Sequence, residues 1–312
     1  MPLRTAVPIL AALLSACAVT THAARPSALG TSRRSADLLA VIDQPGPLVV
    51  ETVNAADWQV PRSGLINLDS PAARGAQLKD GDEPIQIFFH VVRHPTKGTY
   101  LIDTGIERAL RDDPAHAAPG WIVKQFMHLE KLRIHVALAD WVARQTSPVA
   151  GVFMTHLHLD HVGGMPDVPH GTPIYIGPGE ASSQAFLNMF ALGTTDRALA
   201  GQASLQELPF KPDPDGRFDG VLDVFGDGSL WALRTPGHTA GSIAFLARTT
   251  KGPVLFTGDT CHTSWGWNHD VEPGSFTSDH AKNLESLRRL KQLVHEHPTT
   301  DVRLGHQYLT SN

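Results

Sequence analysis

Short apolar runs that alternate with polar residues divide much of this chain into strand-like stretches. Runs rich in β-branched and aromatic residues, bounded by Gly, Pro, Asn or Asp, are typical of buried strands. They cover residues 48–53, 85–92, 99–103, 152–154, 173–176, 230–234, 242–247 and 253–256. The Pro95-Thr96-Lys97-Gly98 sequence separates two of these runs and predicts a hairpin.

Apolar residues at helical spacing predict the remaining elements. Residues 106–145 favour about two helices, and residues 179–192 favour another. Residues 278–295 place Leu284, Leu287, Leu290 and Val294 on one face, which predicts a final amphipathic helix. Residues 211–220 are polar and rich in Pro and Asp, so we expect a connection there. Blocks of strands interspersed with helices indicate an α+β fold in which helices cover sheets.

The first residues have the pattern of an export signal. Arg4 precedes a short apolar segment, and Leu14-Ser15-Ala16-Cys17 resembles a bacterial lipobox in which Cys17 would be lipidated. Ordinary cleavage after Ala18 is the alternative. We therefore predict a signal peptide over residues 1–17, a tether over 18–44 and a folded domain over 45–312. The protein is expected to be periplasmic or anchored to the outer membrane, with secretion as the alternative.

Composition narrows the classes of function. The 312 residues carry a formal net charge of −5 without a basic run, so nothing suggests a nucleic-acid partner. The chain has only two cysteines, Cys17 and Cys261, which excludes a disulfide framework. Stability must therefore come from a core and from any bound metal.

The segment His156-Leu157-His158-Leu159-Asp160-His161 carries the clearest chemistry. Imidazole and carboxylate groups suit zinc and similar divalent ions. The segment follows an apolar run, and Gly163 and Gly164 follow it. We expect these ligands on a loop that leaves a buried strand.

Three later positions repeat this arrangement. His238 lies in the glycine-containing sequence Thr235-Pro236-Gly237-His238, and Gly258-Asp259 and Gly305-His306 each follow an apolar run. One such His or Asp alone is usually structural. Together with the first segment, they predict a single metal site at one edge of a sheet.

These motifs resemble the metallo-β-lactamase superfamily over residues 45 to 308. The resemblance implies an αββα sandwich with a dinuclear metal site at one edge. It implies that His156, His158 and His238 hold one metal, and that Asp160, His161 and His306 hold the other. Asp259 would bridge both metals, and Asp103 would support the site without binding metal.

The resemblance also implies hydrolysis by a metal-bridging hydroxide. Two cations lower the pKa of a shared water, and Asp160 would carry a proton to the leaving group. We expect two divalent metal ions and favour zinc, although iron, manganese and cobalt also suit such ligands.

A lactone, or another ester, is the expected small-molecule substrate. The segments Phe88–Pro95 and Leu101–Gly105 resemble the opening of N-acyl homoserine lactonases, which act in quorum quenching. A β-lactamase and another ester or thioester hydrolase of the same superfamily are the alternatives. A third alternative, which is not an enzyme, is a non-catalytic metal-binding lipoprotein. The oligomeric state is left open.

One residue departs from the lactonase pattern. Those enzymes have a Tyr three residues after the bridging Asp, where this chain has His262. We predict that His262 takes a catalytic role there by donating a hydrogen bond, with a surface loop position as the alternative. Trp265 and Trp267 follow it, and either form an apolar wall for an acyl chain or cap the core.

Overall fold

The fold is built from two β-sheets that lie face to face. The computed structural model describes residues 18–183 and 188–309. Within these residues the first sheet has eight strands. In spatial order they are β1 (Ala24–Pro26), β9 (Leu205–Glu207), β8 (Ile174–Ile176), β7 (Val149–Phe153), β5 (Gly98–Ile102), β4 (Asp82–His94), β3 (Val49–Pro61) and β6 (Arg133–Ile134). Strands β5, β7, β8 and β9 run parallel to their neighbours in this group, so their carboxyl ends meet at one edge.

The second sheet is mainly antiparallel and has six strands in the described residues. In spatial order they are β14 (Asp301–Arg303), β13 (Gly252–Phe256), β12 (Ile243–Thr249), β11 (Leu230–Arg234), β10 (Val221–Asp223) and β2 (Thr31–Arg33). Only β13 and β14 pair in parallel. The loops that follow these two strands therefore leave the sheet at the same edge.

Alternation along the strands produces three apolar layers. In β7, Val152 joins the layer outside the first sheet, whereas Phe153 joins the layer between the sheets. In β11, Ala232 packs between the sheets and Leu233 packs outside the second sheet. Successive side chains of a strand point to opposite faces, so both sheets are buried on both sides. The predicted αββα sandwich is confirmed.

Ten α-helices in the described residues flank the sheets and their loops. They are α1 (Ser35–Leu39), α2 (Arg62–Leu65), α3 (Pro71–Gly75), α4 (Ala109–Asp112), α5 (Trp121–Phe126), α6 (Leu138–Val142), α7 (Leu159–Val162), α8 (Asn188–Ala198), α9 (Ser264–His269) and α10 (His280–Glu296). Helix α10 begins where the Asp279 side chain accepts a hydrogen bond from the Lys282 N–H, and it buries Leu287, Leu290 and Leu293. Among the described helices, none has the length and apolar character needed to cross a membrane.

Two predicted helical stretches differ from the structure. Residues 106–145 form three short α-helices and a two-residue strand, because Pro114 and Pro119 interrupt the segment and His128 adopts a left-handed conformation at φ 50°. The helix expected over residues 179–192 begins at Asn188 in the described part and continues to Ala198. Residues 179–183 form a turn.

The tether predicted over residues 18–44 is wrong. Strand β1 pairs with β9 in the first sheet, and β2 pairs with β10 in the second. Leu38 and Ile42 are fully buried against the second sheet. The segment therefore belongs to the domain, whose described part starts upstream of residue 45. The predicted signal peptide, with Cys17, lies outside the described residues.

Candidate metal centre

The site lies where loops from both sheets leave the same end of the sandwich. In the first sheet, Asp103 follows β5, His156 follows β7 and Glu180 follows β8. Carboxyl ends of parallel strands meet at one edge, which is where ligand-binding loops of such sheets cluster. In the second sheet, Asp259 and His306 follow the parallel strands β13 and β14.

One group of side chains combines three histidines with one carboxylate. The ligand atoms of His156, His158, His238 and Asp259 all lie within 4.8 Å of one another. His238 Nε2 is 2.9 Å from His158 Nδ1 and 3.4 Å from Asp259 Oδ2. We call these four residues the histidine group.

A second group shares Asp259 and contains another carboxylate. The ligand atoms of Asp160, His161, His306 and Asp259 also lie within 4.8 Å of one another. His161 Nε2 is 3.2 Å from Asp259 Oδ1, and His306 Nε2 is 3.2 Å from Asp160 Oδ2. We call these four residues the carboxylate group. The structure thus brings all seven predicted ligands together in the division that the resemblance implied.

Hydrogen bonds outside the two groups orient the imidazole rings. Asp103 Oδ2 lies 2.7 Å from His161 Nδ1, and the Gln86 carbonyl lies 3.0 Å from His306 Nδ1. Asp103 itself is in the left-handed region at φ 58°, where it accepts hydrogen bonds from the Thr155 N–H and hydroxyl. A metal-binding histidine commonly uses its second nitrogen in this way, so that the first points at the metal.

The donor set fits divalent cations. His156 Nε2, His161 Nε2 and Asp259 Oδ1 are buried without a hydrogen-bond partner in the protein. Buried polar atoms are costly unless they are paired, and a cation between the groups would satisfy all three. Burial lowers the pKa of His156 and His238 well below the usual value, which leaves neutral rings that can bind metal.

The carboxylate group has the opposite electrostatics. Burial alone would lower the pKa of His161, but Asp259, Asp103 and Asp160 outweigh it and raise that pKa. Asp259 and Asp160 likewise overcome burial at His306 and raise its pKa to about 10. These imidazoles therefore bind protons, which a divalent cation would displace because it satisfies the same carboxylates.

His262 is part of this cluster and is not a surface residue. Its side chain is 1% exposed, and its Nε2 lies 2.9 Å from Asp259 Oδ2. Its Nδ1 lies 3.3 Å from the Leu65 carbonyl. Both ring nitrogens are thus engaged by the protein, and one of them contacts the carboxylate shared by the two groups.

A family model described as the metallo-beta-lactamase superfamily matches residues 82–296. The chain belongs to this superfamily.

The chain is similar to the N-acyl homoserine lactonase AttM of Azorhizobium caulinodans. It is 30% identical over 232 residues, which cover 74% of this chain and 85% of the relative. The predicted resemblance to lactonase-like metallohydrolases, and with it a metal-dependent hydrolase, is confirmed.

Two solved structures of lactonases share the fold. A quorum-quenching N-acyl homoserine lactone lactonase matches with a TM-score of 0.58 and 17% identity, covering 85% of this chain and 93% of that one. The dizinc quorum-quenching lactonase AidC matches with a TM-score of 0.54 and 14% identity, covering 90% of this chain and 92% of that one.

The residues after Asp259 are partly core residues. Trp265 and Trp267 lie on helix α9 and not on a loop, because Thr263 caps that helix by accepting the Gly266 N–H. Trp267 is buried in the layer outside the second sheet, as the core interpretation predicts. Cys261 is buried in the same layer, and burial raises the pKa of its thiol to about 12, so this thiol is inert.

Sequence reasoning missed Glu180. This fully buried carboxylate contacts the loops that carry the histidine group. The only signal is its place in the turn Gly177-Pro178-Gly179-Glu180 after a predicted strand. A single Glu in such a turn is usually exposed, so nothing in the sequence distinguishes it.

Proposed function

We propose that this protein is a dinuclear zinc hydrolase that opens N-acyl homoserine lactones. The observation that carries the proposal is a pair of His/Asp groups that share Asp259 beside an apolar hollow. The relative AttM, which this chain matches over most of its length, supports the lactone as the substrate class. The dizinc neighbour AidC supports zinc as the metal.

His156, His158, His238 and Asp259 would hold one cation, and Asp160, His161, His306 and Asp259 the other. When bound, such cations lower the pKa of a water molecule and polarise a carbonyl oxygen. The chain supplies the rest of the chemistry. Asp259 fixes the spacing between the two groups, and Asp103 fixes the direction of the His161 ring.

Asp160 is the residue that we assign to proton transfer. Asp160 is one of the four residues of the carboxylate group and also lines the apolar hollow, so it lies between the candidate metal ligands and the apolar surface. Lactone opening creates an alkoxide that needs a proton. Burial would raise the pKa of Asp160, but His161 and His306 outweigh it and lower that pKa, so the residue is ionised. Asp160 would therefore first accept a proton from the attacking water and then donate it to the leaving oxygen, acting as a general base and then as a general acid.

The hollow beside Asp160 holds only about 10 Å³, but it lies in an apolar surface along which an acyl chain would pack as the substrate's recognition element. Its walls include Trp58, Ile87, Leu110, Leu129 and Leu132. Each methylene that such walls remove from water stabilises the complex by about 0.8 kcal/mol. A longer chain that covers more of this apolar surface should therefore bind more tightly.

We propose that His262 orients the Asp259 carboxylate by hydrogen bonding to it. Because its Nε2 contacts Asp259 and its Nδ1 faces the Leu65 carbonyl, the ring is placed to hold Asp259 in one orientation. Direct hydrogen bonding to the substrate carbonyl, as expected for the Tyr of other lactonases, is the alternative for this residue.

The test is hydrolysis of N-hexanoyl and N-decanoyl homoserine lactone by the zinc-loaded protein, followed by proton release. We expect ring opening that a chelator abolishes and zinc restores. Replacing Leu132 by Ala should lower kcat/KM for the decanoyl lactone more than for the hexanoyl lactone. If a β-lactam or a simple thioester is hydrolysed and neither lactone is, the substrate assignment is wrong.

We also propose export with lipidation at Cys17. The first described residues already pack against the domain. Val19 is buried, and Thr20 and Thr21 hydrogen-bond to Asp196 on α8. An acyl group at Cys17 would therefore hold the domain against the bilayer without a long linker. Palmitate labelling of the wild type, and its loss in Cys17→Ala, would support this, whereas an unlabelled wild type would contradict it.

A further inference from the structure

Glu180 joins the two loops that carry the histidines of the histidine group. It lies four residues after β8, is fully buried, and belongs to neither group of candidate ligands. Its Oε1 accepts a hydrogen bond of 2.8 Å from the Leu157 N–H. Leu157 is the residue between His156 and His158, so this bond fixes the backbone that supports both rings.

The other oxygen of Glu180 binds the second loop. Oε2 accepts hydrogen bonds from the Thr239 hydroxyl at 2.6 Å and from the Gly241 N–H at 3.1 Å. Thr239 directly follows His238 in the chain. One carboxylate therefore spans the two loops that supply all three histidines of the histidine group.

The two loops pack closely together around Glu180. A Cβ atom added to Gly241 would lie 2.5 Å from Glu180 Cβ, and one added to Gly177 would lie 1.8 Å from the Gly241 carbonyl oxygen. Real Cβ atoms do not approach other atoms so closely. The loop after His238 is thus pressed against the turn that carries Glu180, and the three hydrogen bonds act across this contact.

We propose that Glu180 is a positioning residue that sets the spacing of the three histidines and so the affinity of the histidine group for its metal. The inference rests on the metal binding assumed in the proposed function, but it does not depend on which bond the enzyme hydrolyses. Outer groups that orient ligands typically change metal affinity by about 10- to 100-fold when they are replaced.

Glu180→Gln is a sharp probe because it keeps the size of the side chain. A glutamine offers only one oxygen, so either the Leu157 N–H or the Gly241 N–H loses its acceptor whichever way the amide is turned. Both N–H groups face the carboxylate in the wild type. The substitution thus weakens the attachment of one loop without creating a cavity.

Asp223→Asn is the matched control. Asp223 is also buried, at 4% exposed, and its two oxygens accept hydrogen bonds from the Gly226 and Gly228 N–H groups. This loop carries none of the seven candidate ligands. The control therefore measures what the loss of a buried, loop-binding carboxylate does to stability by itself.

The experiment is a Co²⁺ titration of the full-length protein, read by visible absorption and by competition with a chelator. The wild type should bind two equivalents. In Glu180→Gln, one equivalent should bind about 10- to 100-fold more weakly with an altered visible spectrum, and the other should bind as before. Asp223→Asn should bind both equivalents as the wild type does, even if its Tm falls.

The proposal is overturned if Glu180→Gln binds two equivalents with wild-type affinities and spectrum. Thr239→Val covers the case in which Glu180→Gln fails to fold, since it removes one of the three hydrogen bonds and keeps the carboxylate. We expect it to weaken one equivalent by several-fold, and unchanged binding would then contradict the proposal. A wild type that binds two metals but opens no lactone would refute the proposed function and leave this inference standing.

Discussion

The histidine group and the carboxylate group share Asp259 but differ in how their surroundings shift the pKa values of their histidines. The histidine group has one carboxylate, and burial lowers the pKa of its rings, including that of His158 to about 4. The carboxylate group contains two carboxylates, Asp259 and Asp160, and they raise the pKa of His306 to about 10. The first group therefore presents neutral ligands, whereas the second presents charges that require a cation or protons.

Each group also has its own supporting carboxylate. Glu180 acts on the histidine group through the backbone of two loops, whereas Asp103 contacts the His161 ring of the carboxylate group directly. The comparison shows that the two halves of one metal centre can be supported mainly by different carboxylates. Substitutions should then separate the halves, except at the residue that they share.

Asp259→Ala should have the largest effect, because it removes the only ligand common to both groups. We expect loss of lactone hydrolysis by roughly 10³-fold or more, or about 4 kcal/mol of transition-state stabilisation. Metal content measured after dialysis should fall for both sites. A variant that retains two tightly bound metals would show that the halves do not depend on Asp259.

His238→Ala and His306→Ala form a pair that should remove one metal each. Each residue belongs to a single group, so each variant should keep about one equivalent of tightly bound metal. Metal analysis after gel filtration checks this, and both variants should be nearly inactive because the chemistry needs both sites. If either variant loses both metals, the two sites bind cooperatively and the comparison fails.

Asp103→Asn should have a smaller effect that is largest at the carboxylate group, although Asp103 also binds Thr155, whose hydroxyl lies 3.1 Å from His156 Nδ1. Asn tolerates the left-handed backbone at this position, so the turn should be kept while the charged acceptor of His161 is lost. We expect one equivalent to bind about 10- to 100-fold more weakly. Calorimetric titration with Zn²⁺ measures this, and equal weakening of both equivalents would contradict the separation.

His262→Phe should have the smallest effect on metal binding and a measurable effect on turnover. Phe keeps the ring but removes the contact to Asp259, so we expect both metals to remain and kcat to fall by about 10-fold, the loss expected for one hydrogen bond to a charged group. His262→Tyr should retain more activity than His262→Phe if a hydrogen bond at this position matters. Equal rates for wild type and His262→Phe would remove His262 from the mechanism.

Much of the site could be predicted because its ligands are dense in the sequence. Four lie within residues 156–161, and His238, Asp259 and His306 each follow a strand. Glycines next to these positions reveal the turns that aim the side chains. These patterns can be recognised in a single sequence because each ligand lies next to the turn residues that orient it.

What could not be predicted depends on partners distant in the chain. Strands β1 and β2 have three residues each and pair with strands about 180 residues away, so their own sequence has no periodicity to reveal them. Glu180 has the same difficulty, because its donors at Leu157 and Gly241 lie in two other loops. The short helices of residues 106–145 show apolar spacing, but prolines interrupt it.

The most direct test follows proton release as zinc-loaded wild type and Asp160→Asn act on N-hexanoyl and N-decanoyl homoserine lactone, with zinc content measured in the same samples. We predict that the wild type, with two zinc ions bound, opens both lactones. Asp160→Asn should be slower by about 10²-fold, as expected when a general acid is lost. A wild type that holds two zinc ions and opens neither lactone would contradict the dinuclear lactonase proposed for this protein.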